Sequence, residues 1–213
     1  MVKYYNMLRE LGCFTLEDTY KFISNKETAK NMLKNYVKKG YIARIKRNYY
    51  VTWDIVNNNH VCNKYVIASN LDSSSYIAYH SELEYYAYHN QITNEIVYCS
   101  NKRLNDFEFD GINYHYVANR CNLQIDNNVD GSRVTTLERT IIDCIDNLYL
   151  SFGIEEIFKA LNYIYYLDED KLLEIFIIII RKHYYIKEVV LSYLTLVMIY
   201  IYLMIFLILY IPK

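Results

Sequence analysis

Through the first forty residues apolar side chains recur three and four apart; after Gly40 they recur two apart. That change of period predicts a switch from helix to strand. "YYNMLREL" (Tyr4 to Leu11) reads as a short amphipathic helix closed by Gly12. Thr15 reads as the cap of a second helix, with Asp18 completing a capping box and Leu16, Tyr20 and Ile23 on one face. Ser24 and Asn25 are candidate caps for a third helix, "KETAKNMLKNYVKK", ended by Gly40. Its apolar positions are Ala29, Met32, Leu33, Tyr36 and Val37. Then "YIARIK" alternates, with Tyr41, Ala43 and Ile45 on one side and Ile42, Arg44 and Lys46 on the other. "YYVTW" follows, and Arg47–Asn48 between the two runs reads as a hairpin turn, because Asn tolerates positive φ. Three helices and a hairpin predict a winged helix-turn-helix over residues 1–56.

Residues 57–65 read as a linker or short connecting element. A small mixed α/β domain is expected over 66–176, giving an α+β fold. Ser81 reads as a cap, with Glu84 three residues on, for a helix holding Leu83, Tyr86 and Ala87. "EIVYCS" reads as a strand, and "DFEFDGINYHYV" as a hairpin turning at Asp110–Gly111. In "RVTTLERTIIDCID", Thr135 is expected to cap a helix with Glu138 completing the box and Leu137, Ile141, Ile142 and Ile145 as its apolar stripe. "IEEIFKALNYI" and "EDKLLEIF" predict two more amphipathic helices. Residues 177–213 form a hydrophobic tail. From Val189 to Ile211 no charge occurs, a run long enough for a transmembrane helix, which needs about 20 apolar residues.

Charge sharpens the first module. The chain of 213 residues has a formal net charge of -1, yet residues 1–56 carry eleven Lys and Arg against five acids, +6, leaving -7 for the rest. A basic module on an acidic body predicts a polyanion partner. The third helix would enter the major groove of double-stranded DNA, with Lys26, Thr28, Asn31 and Asn35 near base edges. Lys30, Lys34, Lys38, Lys46 and Arg47 would meet phosphates, and Arg44 lies on the polar side of the same hairpin. The bland alternative is a solvated lysine-rich face, and winged helices also dock proteins, so an interaction module without DNA activity stands as the second reading.

Catalytic patterns are sparse. Gly131–Ser132 is followed by Asp143 and Asp146, whose spacing does not fit alternate positions of a strand. Glu108 and Asp110 share a strand spacing but lack a nuclease lysine, and the five histidines show no metal-binding spacing. No catalytic residue, cofactor or metal is expected. The odd set Cys13, Cys62, Cys99, Cys121 and Cys144 predicts small buried hydrophobes in a reducing compartment. Charges within the N-terminal apolar stretch argue against a signal peptide.

The order of motifs resembles the AbiEi-type abortive-infection antitoxins, transcriptional regulators of type IV toxin–antitoxin systems. "LKNYVKKGYIARIKRNYYVT", "SYIAYHSELEYYAYH", the strand and hairpin after it, and "RVTTLERTIIDCID" carry the resemblance, over about residues 3–176. It implies binding to inverted repeats in the chain's own promoter. It also implies antagonism of a nucleotidyltransferase-like toxin without a stable complex. Glu138, Arg139 and Asp143 are the polar residues of the last motif, read first as cap and ion pair and second as an antitoxic surface. The family pattern usually has Gly where Asn48 stands and a His-Gly-Leu step where "YHNQI" stands, and it continues with polar helices after Phe176. The apolar tail is therefore open to three readings: a membrane anchor, a frameshift product, or a buried core helix. An anchored regulator unrelated to toxin–antitoxin function is a further alternative. Arg181, Lys182 and Lys187 before the run, against Lys213 after it, would keep the N-terminal domains in the cytoplasm.

Overall fold

A computed structural model describes residues 2–88 and 93–183. The elements run α1 (Tyr5–Leu11), β1 (Cys13–Thr15), a 3-10 turn (Glu17–Lys21), α2 (Lys26–Lys38), β2 (Ile42–Lys46), β3 (Tyr49–Asp54), β4 (Asn59–His60) and α3 (Lys64–Ser69). They continue with β5 (Tyr76–Ile77), α4 (His80–Tyr85), β6 (Glu95–Ser100), β7 (Phe107–Phe109), β8 (Ile112–Ala118), β9 (Ile125–Asn127) and β10 (Arg133–Thr135). α5 (Leu137–Asp146), a 3-10 turn (Leu148–Ser151), α6 (Ile154–Tyr163) and α7 (Glu169–His183) follow. The fold is mixed α+β. The described residues form two compact units: those within Met1–Tyr76, Asn94–Ala118 and Asn128–Arg133 make the first; those within Ile77–Thr93, Asn119–Asn127 and 134–183 make the second.

In the first unit Leu8, Phe14, Leu33, Tyr36 and Ile42 form one apolar cluster, drawing α1, β1, α2 and β2 together. β1 and β2 flank β3, both antiparallel to it. β4 also pairs with β3, Trp53 lying opposite His60. The stretch 57–65 thus holds a paired strand and the Asn63 cap of α3. Gly12 ends α1 at φ 66°, and a Cβ there would lie 2.6 Å from Cys62 Sγ, so both backbone and space demand glycine. β6 and β8 pair in parallel, and β7 folds back on β8 through Asp110 and Gly111, both at positive φ as expected for the turn.

Several sequence expectations need correction. Thr15 does not open an α-helix. Its backbone lies in β1 opposite Tyr49, and only a 3-10 turn follows, although Thr15 and Asp18 do exchange the hydrogen bonds of a capping box. β2 does not alternate strictly: Ile42 and Ile45 are both buried, because a bulge makes Ile45 the extra residue between Arg44 and Lys46.

In the second unit, Val134 of β10 pairs in parallel with Ile77 of β5, and α5 packs with α4, α6 and α7. Ser81 does not cap α4, which begins one residue earlier after Tyr79 at φ 59°; Ser81 is wholly buried inside it. The cap of α5 is Thr136, whose Oγ1 accepts from Arg139 N–H. Thr135 is still in β10, its hydroxyl donating to Ile77 O and pairing with Thr140 Oγ1. Glu138 completes no box; its carboxylate accepts from Asp168 N–H at 3.0 Å. Cys62, Cys99 and Cys144 are buried, and Cys13 and Cys121 partly so. No described helix is long and apolar enough to cross a membrane. The transmembrane expectation for 189–211 falls outside the described residues, as does all of the tail beyond His183.

Candidate nucleic-acid interface

α2 is built for two different faces. Asn25, in extended conformation, accepts from Glu27 N–H at 2.9 Å and Thr28 N–H at 3.0 Å, closing two of the orphan donors at the helix start. Ala29, Leu33 and Tyr36 bury one face, and Met32 lies half-buried beside them. The opposite side leaves Lys26, Thr28, Lys30, Asn31, Lys34, Asn35 and Lys38 all exposed, as the sequence period requires. Val37, expected on the apolar side, is 38% exposed at the edge of the buried face.

Lys26, Lys30, Lys34 and Lys38 succeed one another at four-residue spacing, one ridge of positive charge. Like charges at that spacing each oppose the helix by about 0.2–0.5 kcal/mol. No ion pair joins Lys30, Lys34 or Lys38 to a carboxylate among the described residues. Lys26 Nζ stands 5.8 Å over the Tyr20 ring. A ridge kept at that cost and left open to solvent is suited to a row of phosphates.

The β2–β3 hairpin carries the second cationic group. Arg44 and Arg47 are exposed. Asn48 occupies the turn at φ 60°. Its Oδ1 accepts from Leu16 N–H at 3.2 Å, and its Nδ2 donates to Glu17 at 2.6 Å, so the turn is tied to the 3-10 segment. Lys46 differs from the other candidates. It is half-buried, with Nζ 5.1 Å from the Phe107 ring centre, and burial pulls its ammonium below the usual lysine range against the pull of Asp72. Its charge is partly engaged within the unit.

The residues of the antitoxin-type motif sit elsewhere and are buried. Arg139 Nε donates to Asp143 Oδ2 at 3.1 Å, and Arg139 Nη1 donates to Leu123 O. Glu138 is 8% exposed. Arg139 and Asp143 form the ion pair of the structural reading, whereas Glu138 is buried without serving as a cap. Asp146 pairs with Arg120, and Glu108 is exposed on β7. No group of three or more His, Cys, Asp or Glu is placed to hold a metal ion among the described residues. Compared with models of known protein families and with curated proteins, the chain matches none.

Proposed function

We propose that this chain is a DNA-binding transcriptional regulator, with residues 1–56 acting as a winged helix-turn-helix. The observation that carries the reading is the cationic ridge of α2, exposed, capped and backed by the Leu8–Leu33–Tyr36 cluster. The order α1, 3-10 segment, α2 and β2–β3 hairpin fits a helix-turn-helix followed by a wing, with Arg47 at the wing tip. On this reading α2 lies in the major groove, Asn31 and Asn35 reach base edges, and Lys30, Lys34, Lys38 and Arg47 hold phosphates.

The resemblance to AbiEi-type antitoxins extends the proposal. The regulator acts on inverted repeats of its own promoter and opposes a nucleotidyltransferase-like toxin. Burial of Arg139 and Asp143 favours a supporting role for that motif, with antitoxic action arising from other surfaces. The test is a gel shift of the full chain on DNA from upstream of its own gene, in excess competitor and at two salt concentrations. A sequence-specific shift that weakens with salt is expected. No such shift sinks the DNA reading. A nucleotidyltransferase-like reading frame next to the gene is the result expected for the antitoxin reading.

A further inference from the structure

Cys13 and Cys62 lie far apart in the chain but meet at one edge of β3. Thr52 is the point of convergence. Its N–H donates to Gly12 O at 3.0 Å, and its C=O accepts from Val61 N–H at 2.9 Å. In an extended strand the N–H and C=O of one residue point to the same edge, so β1 and β4 meet end to end along β3. Continued past Trp53–His60 and Thr52–Val61, the β3–β4 register leads to Val51 and Cys62; Val51 is also the partner of Cys13. One strand position cannot take two partners on the same edge. Cys62 leaves the strand there, with its Sγ 2.6 Å from where a Gly12 Cβ would stand. The Cys13 thiol and the Cys13 backbone N–H both donate to the Cys62 sulfur.

The two thiols are chemically unequal. Both donors on Cys13 stabilise a charge on Cys62 and hold its thiol below the ordinary value, against the effect of burial. Burial pushes the Cys13 thiol up, and the adjacent Cys62 adds to that. The thiolate is the nucleophilic form, so Cys62 is the more reactive of the two. Neither residue is sealed: Cys62 is 9% exposed and Cys13 only partly buried, whereas Cys99 and Cys144 are 3% and 0% exposed. All five cysteines are free thiols, so the structure shows the reduced pair.

We propose that Cys13 and Cys62 are a redox-active pair, in which Cys62 is the site of attack on a small hydroperoxide and Cys13 resolves the product to an intramolecular disulfide. In the first step the Cys62 sulfur bonds to one peroxide oxygen. The O–O bond breaks, the other oxygen leaves as water, and Cys62 becomes a sulfenic acid. In the second step the Cys13 sulfur attacks Cys62, the S–O bond breaks, and a second water leaves with the Cys13 proton. Two thiols lose two electrons to one hydrogen peroxide. The sulfurs are already in hydrogen-bond contact and have to close to about 2.0 Å. The loop so closed holds α2 and the β2–β3 hairpin. The site is independent of the DNA-binding reading.

The experiment treats the folded full chain with hydrogen peroxide, then counts free thiols after quenching. The chain is expected to lose two of its five thiols together, to gain no oxygen, and to recover both with dithiothreitol. Peptide mapping should join Cys13 to Cys62. Cys13→Ser keeps a donor but lacks the resolving thiol, so it should stop at a sulfenic acid on Cys62 that dimedone traps. Cys13 in Cys62→Ala should be oxidised at least about tenfold more slowly than Cys62 in Cys13→Ser. No loss of thiols, or loss only in urea, overturns the proposal. So does a bridge that includes Cys99, Cys121 or Cys144, or equal rates in the two variants.

Discussion

Arg139 and Asp143 are paired at 3.1 Å one turn apart on α5, with side chains 2% and 5% exposed. The rest of the helix is buried with them: Glu138 through Ile145 lie out of solvent. An ion pair so placed gains little over an apolar pair but is costly to break, because the survivor keeps its charge without water. Arg139→Met is therefore expected to cost about 3–5 kcal/mol. Adding Asp143→Leu should recover most of that, leaving about 1–3 kcal/mol for the Leu123 carbonyl that Arg139 also serves. Urea unfolding of the two variants measures both values. A single variant costing less than about 1 kcal/mol would show that the pair is not the anchor of α5.

The lysine ridge of α2 predicts opposite effects on stability and on DNA. Changing Lys30, Lys34 and Lys38 to Ala removes like-charge neighbours and adds strong helix formers, so the melting temperature should hold or rise. Affinity for every DNA sequence should fall, and the slope of log affinity against log salt should drop by about one for each phosphate no longer neutralised. Asn31→Ala should instead relax discrimination between sequences while leaving that slope unchanged. Binding isotherms at several salt concentrations separate the two classes. An unchanged slope in the triple lysine variant would remove α2 from the DNA interface.

At the hairpin tip Asn48 does two jobs that glycine cannot share. Glycine relieves the positive φ at the turn, but it loses the acceptor for Leu16 N–H and the donor to Glu17. The Asn48 amide is also the main cause that holds the Glu17 carboxyl below its usual range. Each hydrogen bond contributes about 0.5–1.5 kcal/mol, and asparagine is already tolerated at positive φ. Asn48→Gly should thus destabilise by about 1 kcal/mol, and Asn48→Ala by more, since alanine keeps the strain and loses both bonds. Thermal unfolding ranks the three. A glycine variant more stable than the native chain would show that backbone strain outweighs the side-chain bonds.

What could be read in the sequence was local. α2 shows its apolar period, its Asn25 cap and its Gly40 end within sixteen residues, and all three are present. The turns at Asn48 and Asp110–Gly111 were equally legible, because positive φ selects residue type. Pairing across distance was not. Cys13–Thr15 is a strand only because Tyr49–Val51 lies beside it, and that neighbour pre-empted the helix expected from Thr15. Thr135 and Thr136 are chemically alike at a helix start, and the parallel pairing of Val134 with Ile77 decides which of them caps. At the candidate interface the cationic helix face was legible, whereas the turn of Lys46 toward Phe107 depends on a strand far along the chain.

Glu82 on α4 gives the second unit a pH-sensitive group. It is wholly buried, and neither carboxylate oxygen reaches a partner among the described residues; the nearby Thr140 hydroxyl is engaged with Thr135 at 2.6 Å. Burial raises its pKa well above the ordinary 4.5, and the charges of Glu138 and Asp126 push the same way. The folded chain therefore holds a proton that the unfolded chain releases near pH 4.5. The stability tied to this group is full below that pH and is lost as pH rises toward the folded value. Glu82→Gln has no charge to form, so its melting temperature should exceed the native one at about pH 7 to 8, and the gap should close as pH falls below 4.5. Melting curves of the two proteins across that range test it. A gap that does not change with pH would mean that Glu82 titrates alike in the folded and unfolded chain, and one that widens as pH falls below 4.5 would mean that it is ionised in the fold.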